Sequence, residues 1–286
     1  MKKNVLITGT SSGVGFESAI LFAKNGFKVY ASMRNMQKAD ALKTKIKTHN
    51  LDIEILHLDV TDVASINLAI NTIIKKNKKI DVLINNAGAG FAKTTEHSSI
   101  DEIKWVTEVN YLGVIYCTKA VIPFMRKQKS GQIISITSVG GLVGQPFNEL
   151  YCGAKFGVEG FMEGLASYIS EAFNIKITCV EPGGISTEFM NSAIEKTATD
   201  GQFATGEYLP IFKKYMAGNQ KRANDSKEKV YQSALEVSEV ILNVAKMEKP
   251  PLRIRTSKWA EKFCELKTNA DPTGNKIINQ VKENFL

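Results

Sequence analysis

Seven short apolar runs are spaced along the chain: NVLIT (4–8), KVYAS (28–32), IEILHLDV (53–60), DVLINN (81–86), QIISITS (132–138), IKITCVEP (175–182) and LRIR (252–255). A strand with one wet face alternates apolar and polar residues. Most of these runs do not alternate, so both faces of the sheet they form must be covered. Between them lie segments such as 14–25, 62–77 and 154–173, long enough for crossover helices, and Gly26 follows the first like a C-terminal stop. This β-α-β-α rhythm, from residue 4 to about 182, predicts an α/β fold. The expected architecture is a doubly wound parallel sheet of about seven strands with helices on both faces. No internal repeat or linker divides the chain, so 1–286 reads as a single domain.

The rhythm breaks after Gly183. Residues 184–224 mix glycine and threonine with Phe189, Met190, Phe203, Tyr208, Phe212 and Tyr215. An irregular insertion of this length is usually functional, and a substrate lid is expected here. Residues 256–286, with DPTGNK inside them, read as a C-terminal helical extension packed on the outside.

Of the 286 residues, 43% are hydrophobic and 23% charged, ample for a large core. The net charge of +8 is spread in short groups such as Lys75, Lys76, Lys78 and Lys79, with no basic run interleaved with aromatics. That argues against nucleic acid as a partner and leaves a lysine-rich solvated surface mildly favouring anionic ligands. Cys117, Cys152, Cys179 and Cys264 are far apart and form no CxxC pair. Free thiols in a reducing cytoplasm are expected, and a metal site is not. Neither a signal peptide nor an apolar stretch long enough to span a bilayer is visible. The expectation is a soluble, cytoplasmic protein with no integral membrane segment.

One turn is rich in glycine. VLITGTSSGVGFESA carries Gly9, Gly13 and Gly15 from the first strand into the first helix. Glycines let backbone approach a pyrophosphate, and a helix N-terminus offers free N–H groups and a positive dipole end. Alone, the stretch could be a tight turn. Between the first strand and first helix of a doubly wound sheet, it points to a dinucleotide.

TGTSSGVG (8–15) resembles the TGxxxGxG of the short-chain dehydrogenase/reductase family, and the rest of that family's pattern follows in order. NNAG (85–88) ends the fourth strand, Asn110 lies in EVNYLG, and Ser138 lies in SITSVGG. Tyr151 and Lys155 stand in YCGAK, and PGGIST (182–187) ends the sixth strand. The resemblance covers nearly the whole chain and implies a Rossmann-type fold binding a nicotinamide dinucleotide. The cofactor-binding positions it implies are Gly9, Ser11, Ser12, Gly13, Val14 and Gly15 in the glycine turn, then Arg34, Asp59 and Val60. Asn86, Ala87 and Gly88 follow, with Tyr151 and Lys155, then Pro182, Gly183, Ile185 and Thr187.

In such folds an acid ending the second strand binds the ribose hydroxyls and selects NAD. Here Met33 holds that position and Arg34 follows it. Nothing repels a 2′-phosphate, and an arginine can clamp one bidentately, so NADP(H) is expected over NAD. Asp59 matches the family's acid at the adenine amine. It could instead be a helix cap, a role for which Asp62 competes.

A tyrosine and a lysine four apart share a helix face, which is often merely solvated. A free phenol with a pKa near ~10 is a poor acid or base at neutral pH, and a neighbouring cation pulls that value down. By resemblance, Tyr151 is the proton donor, Ser138 stabilises the substrate oxygen, and Lys155 lowers the Tyr151 pKa. Lys155 would also bind the nicotinamide ribose, and Asn110 would hold a water linking it to solvent. The separate readings of Ser138 as a strand-end hydroxyl and Asn110 as a mid-helix amide are bland. His49, His57 and His97 form no Ser-His-Asp arrangement.

The stretch from Asn110 to Leu165 resembles the hydroxysteroid and retinol dehydrogenase-like branch, and the apolar lid suits a lipophilic ketone or alcohol. A homodimer or homotetramer through 103–128 and 154–173 is implied by the family. The alternative is a non-catalytic NADP-binding sensor on the same fold. Enoyl reduction is disfavoured by the short Tyr–Lys separation.

Overall fold

The computed structural model describes residues 2–186, 205–226 and 228–285. Thr187 and most of the expected lid, including Phe189, Met190 and Phe203, lie outside the described residues.

The strands are β1 (Asn4–Thr8), β2 (Lys28–Met33), β3 (Ile53–His57), β4 (Val82–Asn85), β5 (Gly131–Ile136), β6 (Ile175–Glu181), β7 (Gly184–Ile185), β8 (Tyr231–Gln232) and β9 (Arg253–Arg255). The helices that cross between the first six are α1 (Gly13–Lys24), α2 (Asp40–His49), α3 (Val63–Asn77), α4 (Ile100–Thr107), α5 (Gly113–Gln128) and α6 (Glu149–Phe173). Later in the chain come α7 (Leu209–Asp225), α8 (Ala234–Lys246), α9 (Lys258–Thr268) and α10 (Asn275–Phe285).

Seven strands form one parallel sheet in the order β3-β2-β1-β4-β5-β6-β9. The winding reverses between β1 and β4, and ligands of open α/β sheets bind in the crevice beyond the strand ends at such a point. Successive side chains of a strand point to opposite faces, which divides the core into two layers. Leu6, Leu83 and Ile133 pack with Ile70 of α3, Val121 of α5 and Met162 of α6. Val5, Ile7 and Ile134 pack on the other face with Phe22 of α1 and Ile241 of α8. Each such buried side chain contributes about 1.5–3 kcal/mol of transfer free energy. The continuously apolar runs exist because both layers need them.

Three local features differ from the sequence expectation. α6 begins at Glu149, so Tyr151 and Lys155 fall in its first two turns. The segment around Asn110 is a wide π-turn, Glu108–Leu112, between α4 and α5. Asn110 Nδ2 donates to the Val106 carbonyl at 3.1 Å, and an inserted side chain of this kind widens a helix locally. The 184–224 region is not irregular throughout: β7 pairs with β8, and α7 is helical from Leu209. Among the described residues, no helix is long and apolar enough to cross a membrane.

Candidate active site

The glycine turn is held from two sides. Gly9 has φ +72° and Gly13 φ +59°, values that favour glycine, and a Cβ on Gly9 would come within 2.7 Å of Ala87 Cα. A Cβ on Gly15 would overlap the Gly9 carbonyl oxygen and the Asn86 side-chain nitrogen. Asn86 Nδ2 donates to the carbonyls of Thr8 (2.8 Å) and Gly9 (3.0 Å). Thr8 Oγ1 accepts from the backbone N–H groups of Asn86 and Ala87, both at 3.0 Å. The strand ends of β1 and β4 are thereby sewn together on either side of the switch point. Ser12, at the α1 N-cap, makes no side-chain capping bond, and Ser11 precedes it while Val14 lies in the first turn of the helix. Uncapped first-turn amides beside backbone that only glycine can bring so close are what a pyrophosphate needs. The residues present fit a dinucleotide.

At the end of β2, Met33 is buried in the core. The Arg34 side chain is 59% exposed, with Nε 3.9 Å from Asp59 Oδ2. Asp59 Oδ1 accepts from Thr61 N (3.0 Å) and Thr61 Oγ1 (2.8 Å). Asp62, not Asp59, caps α3, accepting from Ala64 N. Asp59 is therefore a turn carboxylate with one oxygen turned towards Arg34. Val60 is buried, and a Cβ on Gly113 of α5 would lie 2.8 Å from it.

Across the switch point, Ser138 follows β5 with its Oγ accepting from Gly140 N at 3.0 Å. That engages a lone pair and leaves the hydroxyl proton free to donate, and the Ser138 side chain hydrogen-bonds the Tyr151 phenol. Lys155, one helical turn on, sits with Nζ 5.7 Å from the Tyr151 ring centroid and donates to the Ile136 carbonyl at 3.0 Å. A Cβ on Gly88 would stand 3.0 Å from Asn110 Oδ1 and 3.6 Å from Lys155 Nζ, so all three positions converge on one spot. Asn110 is held by Ala89, accepting from its N–H at 3.0 Å and donating to its carbonyl at 2.9 Å. Burial pushes the Tyr151 phenol up, and the Ser138 hydrogen bond opposes it. Burial also pulls the Lys155 ammonium down to about 8, with Glu159 opposing.

The β6 end closes the other side. Val139 N donates to the Pro182 carbonyl at 2.9 Å, and a Cβ on Gly183 would lie 3.0 Å from the Trp259 ring. Ile185 packs on the core layer containing α1 and α8. Four residues before Tyr151, Phe147 has φ +61° and yet is buried, its ring edge-on to Phe212 at 5.1 Å and tilted to Tyr215 at 5.4 Å. His97 likewise meets Tyr208 edge-on at 5.4 Å. Left-handed backbone costs a non-glycine residue roughly 1–2 kcal/mol. The aromatic contacts with α7 offset it. Nothing in GQPFNELY announces that conformation, so Phe147 was not legible as a site residue.

The family model of short chain dehydrogenases matches residues 3–198. The chain is a short-chain dehydrogenase. It is 34% identical to retinol dehydrogenase 8 of Bos taurus over 282 residues, 96% of this chain and 88% of that one. It is 31% identical to 17-beta-hydroxysteroid dehydrogenase type 1 of Mus musculus over 280 residues, 96% of this chain and 79% of that one. The solved structure of ElxO with NADP bound superposes with a TM-score of 0.72 at 28% identity, covering 90% of this chain and 98% of that one. This short-chain dehydrogenase belongs to the hydroxysteroid- and retinol-dehydrogenase-like branch of a family of nicotinamide-dependent oxidoreductases acting on CH–OH groups.

Proposed function

We propose that the protein interconverts a lipophilic ketone or aldehyde and the corresponding alcohol with NADP(H). The observation that carries this reading is the Ser138–Tyr151 hydrogen bond, set beside the Lys155–Gly88–Asn110 convergence at the mouth of the glycine cradle. The bound cofactor would supply or accept hydride. Tyr151, kept protonated by burial, gives its proton to the substrate oxygen during reduction, and Ser138 donates to the charge growing on that oxygen. Lys155 supplies positive charge below the phenol. Asn110 fixes the Ala89 backbone beside Gly88 and, in this reading, a water leading to Lys155.

NADP(H) is favoured because Met33 and Arg34 replace the acid that would select NAD. The Arg34–Asp59 ion pair is long and exposed, worth about 0–1 kcal/mol, so a 2′-phosphate can displace it. Phe147, Phe212 and Tyr215 give the lid side an aromatic lining, and the relatives' names point to retinoid and steroid substrates. A homodimer or homotetramer through α5 and α6 fits the half-exposed Phe156 and Tyr168 on α6.

Tyr151→Phe tests the reading. Against a panel of lipophilic ketones with NADPH, turnover should fall at least ~10²–10⁴-fold while NADPH affinity, followed by fluorescence, is retained. Near wild-type turnover in that variant would place the acid elsewhere. The absence of turnover with every ketone and alcohol would favour a sensor on the same fold.

A further inference from the structure

The face of α6 that carries Tyr151 and Lys155 does not end with them. Glu159 comes one turn later on the same face, buried, with a Cβ on Gly141 only 3.1 Å from its Cγ. It points at the end of β6, where Glu181 has no exposed surface at all and stands within hydrogen-bonding reach of the Glu159 carboxyl. Glu159 Oε1 and Glu181 Oε1 are both buried, and neither has a hydrogen-bond partner among the described residues. Two facing carboxylates can each keep an orphaned acceptor out of water only if a proton joins them.

The surrounding charges agree. β9 runs beside β6 with Arg253 opposite Cys179 and Arg255 opposite Glu181. Arg255 Nη1 is 3.2 Å from Glu181 Oε2 and Nη2 is 2.8 Å from Glu261 of α9. Arg253 pairs with Glu163 of α6 at 2.5 Å, while its Nε stops 4.0 Å from Glu181 Oε1 and finds no hydrogen-bond acceptor among the described residues. Thr137 at the end of β5 and the Cys179 thiol complete what Glu159 faces. Glu159, Glu163, Glu181 and Glu261 therefore meet Lys155, Arg253 and Arg255. One proton on the inner pair makes the cluster neutral with Lys155 charged.

We propose that Glu159 and Glu181 share one proton and act as positioning residues that set the charge state of Lys155 from beneath the active site. The pair carries a single negative charge divided between two sites, and only Glu159 is close enough to stabilise the ammonium directly. Burial holds both carboxyls above their ordinary range, and the charge of Glu159 raises Glu181 further, while hydrogen bonds and Arg253 oppose the rise at Glu159. A whole charge fixed on Glu159 would keep Lys155 protonated to higher pH. No charge there would release its proton earlier. Sharing leaves the lysine between these limits, opposing in part the burial that pulls it down to about 8.

The consequence for catalysis depends on the oxidoreductase reading above, but the decisive readouts do not need turnover. Lysine NMR with carbon-labelled protein should show one lysine titrating near pH 8, absent from Lys155→Met. In Glu159→Gln, Glu181 ionises against its two arginines and the Lys155 titration should fall by about one pH unit. In Glu181→Gln, Glu159 loses its like-charged neighbour and ionises, and the same titration should rise by a similar amount. A role in packing alone would not move the two in opposite directions. Shifts of one sign, or none, overturn the proposal. Should a variant fail to fold, infrared spectroscopy of the wild type decides: a protonated-carboxyl band must persist at pH 8, and its absence refutes the shared proton. The pH–rate profile with any substrate that turns over should follow the lysine titration. An opposite pair of NMR shifts without turnover would sink the functional reading and leave the acid pair standing.

Discussion

Lys155 Nζ lies 5.7 Å from the centre of the Tyr151 ring, one turn below it, while donating a 3.0 Å hydrogen bond to the carbonyl of Ile136. The ammonium is pinned by the end of β5 and meets the phenol across its face. Its influence on the phenol is therefore a field effect at fixed range, and burial strengthens that field by excluding water.

Lys155→Met should separate the two directions of reaction. Burial already pushes the Tyr151 phenol up, and losing a neighbouring cation should raise it further. Alcohol oxidation needs the phenolate, so its rise with pH should move upward by about one to three units. Carbonyl reduction near pH 7 needs the neutral phenol and should lose less from this cause. Parallel pH–rate profiles in both directions check it, and an unmoved oxidation profile would rule out the field effect.

Arg34→Ala should weaken NADPH by about ten- to hundredfold and leave NADH nearly unchanged, because only NADPH carries the 2′-phosphate that the guanidinium would hold. The competing Asp59 contact at 3.9 Å makes a second arm informative. Asp59→Asn removes a repelling charge, so NADPH should not bind less tightly through the phosphate end. Titration of both cofactors by fluorescence reads the difference, and equal losses in Arg34→Ala would assign the arginine to loop structure.

Gly15→Ala should abolish dinucleotide binding more completely than it lowers stability. The new methyl group would strike the Gly9 carbonyl and the Asn86 amide, the two groups that join the β1 and β4 ends. Steric insertion of this kind costs roughly 1–3 kcal/mol in folding, and the displaced turn could no longer admit a pyrophosphate. Thermal unfolding beside cofactor titration measures the two effects. Binding at wild-type affinity would show that the turn is not the phosphate site.

The layered sheet was legible in the chain because its cause is local. Runs such as NVLIT and QIISIT do not alternate apolar with polar residues, and only a strand covered on both faces has use for that. Strand bounds such as Asn4–Thr8 and Ile175–Glu181 follow the apolar runs to within a residue or so. The glycine turn, Ser138, Tyr151 and Lys155 were legible by their order and spacing. Other features depend on contacts between distant segments. Phe147 adopts its left-handed backbone because α7 supplies rings to cover it, about sixty residues later. The π-turn at Asn110 exists because Ala89, on the far side of the β4 end, accepts and donates to its amide. Tyr151 and Lys155 could be seen to share a face. That burial outweighs the Ser138 hydrogen bond in setting the phenol could not be seen, since desolvation depends on everything packed around the pair. Glu159 sits at a helical spacing visible in the chain, but Glu181 and the two arginines reach it only through the pairing of β6 with β9. Spacing along the chain determined which groups share an element; the tertiary structure decided which charges face one another without water between them.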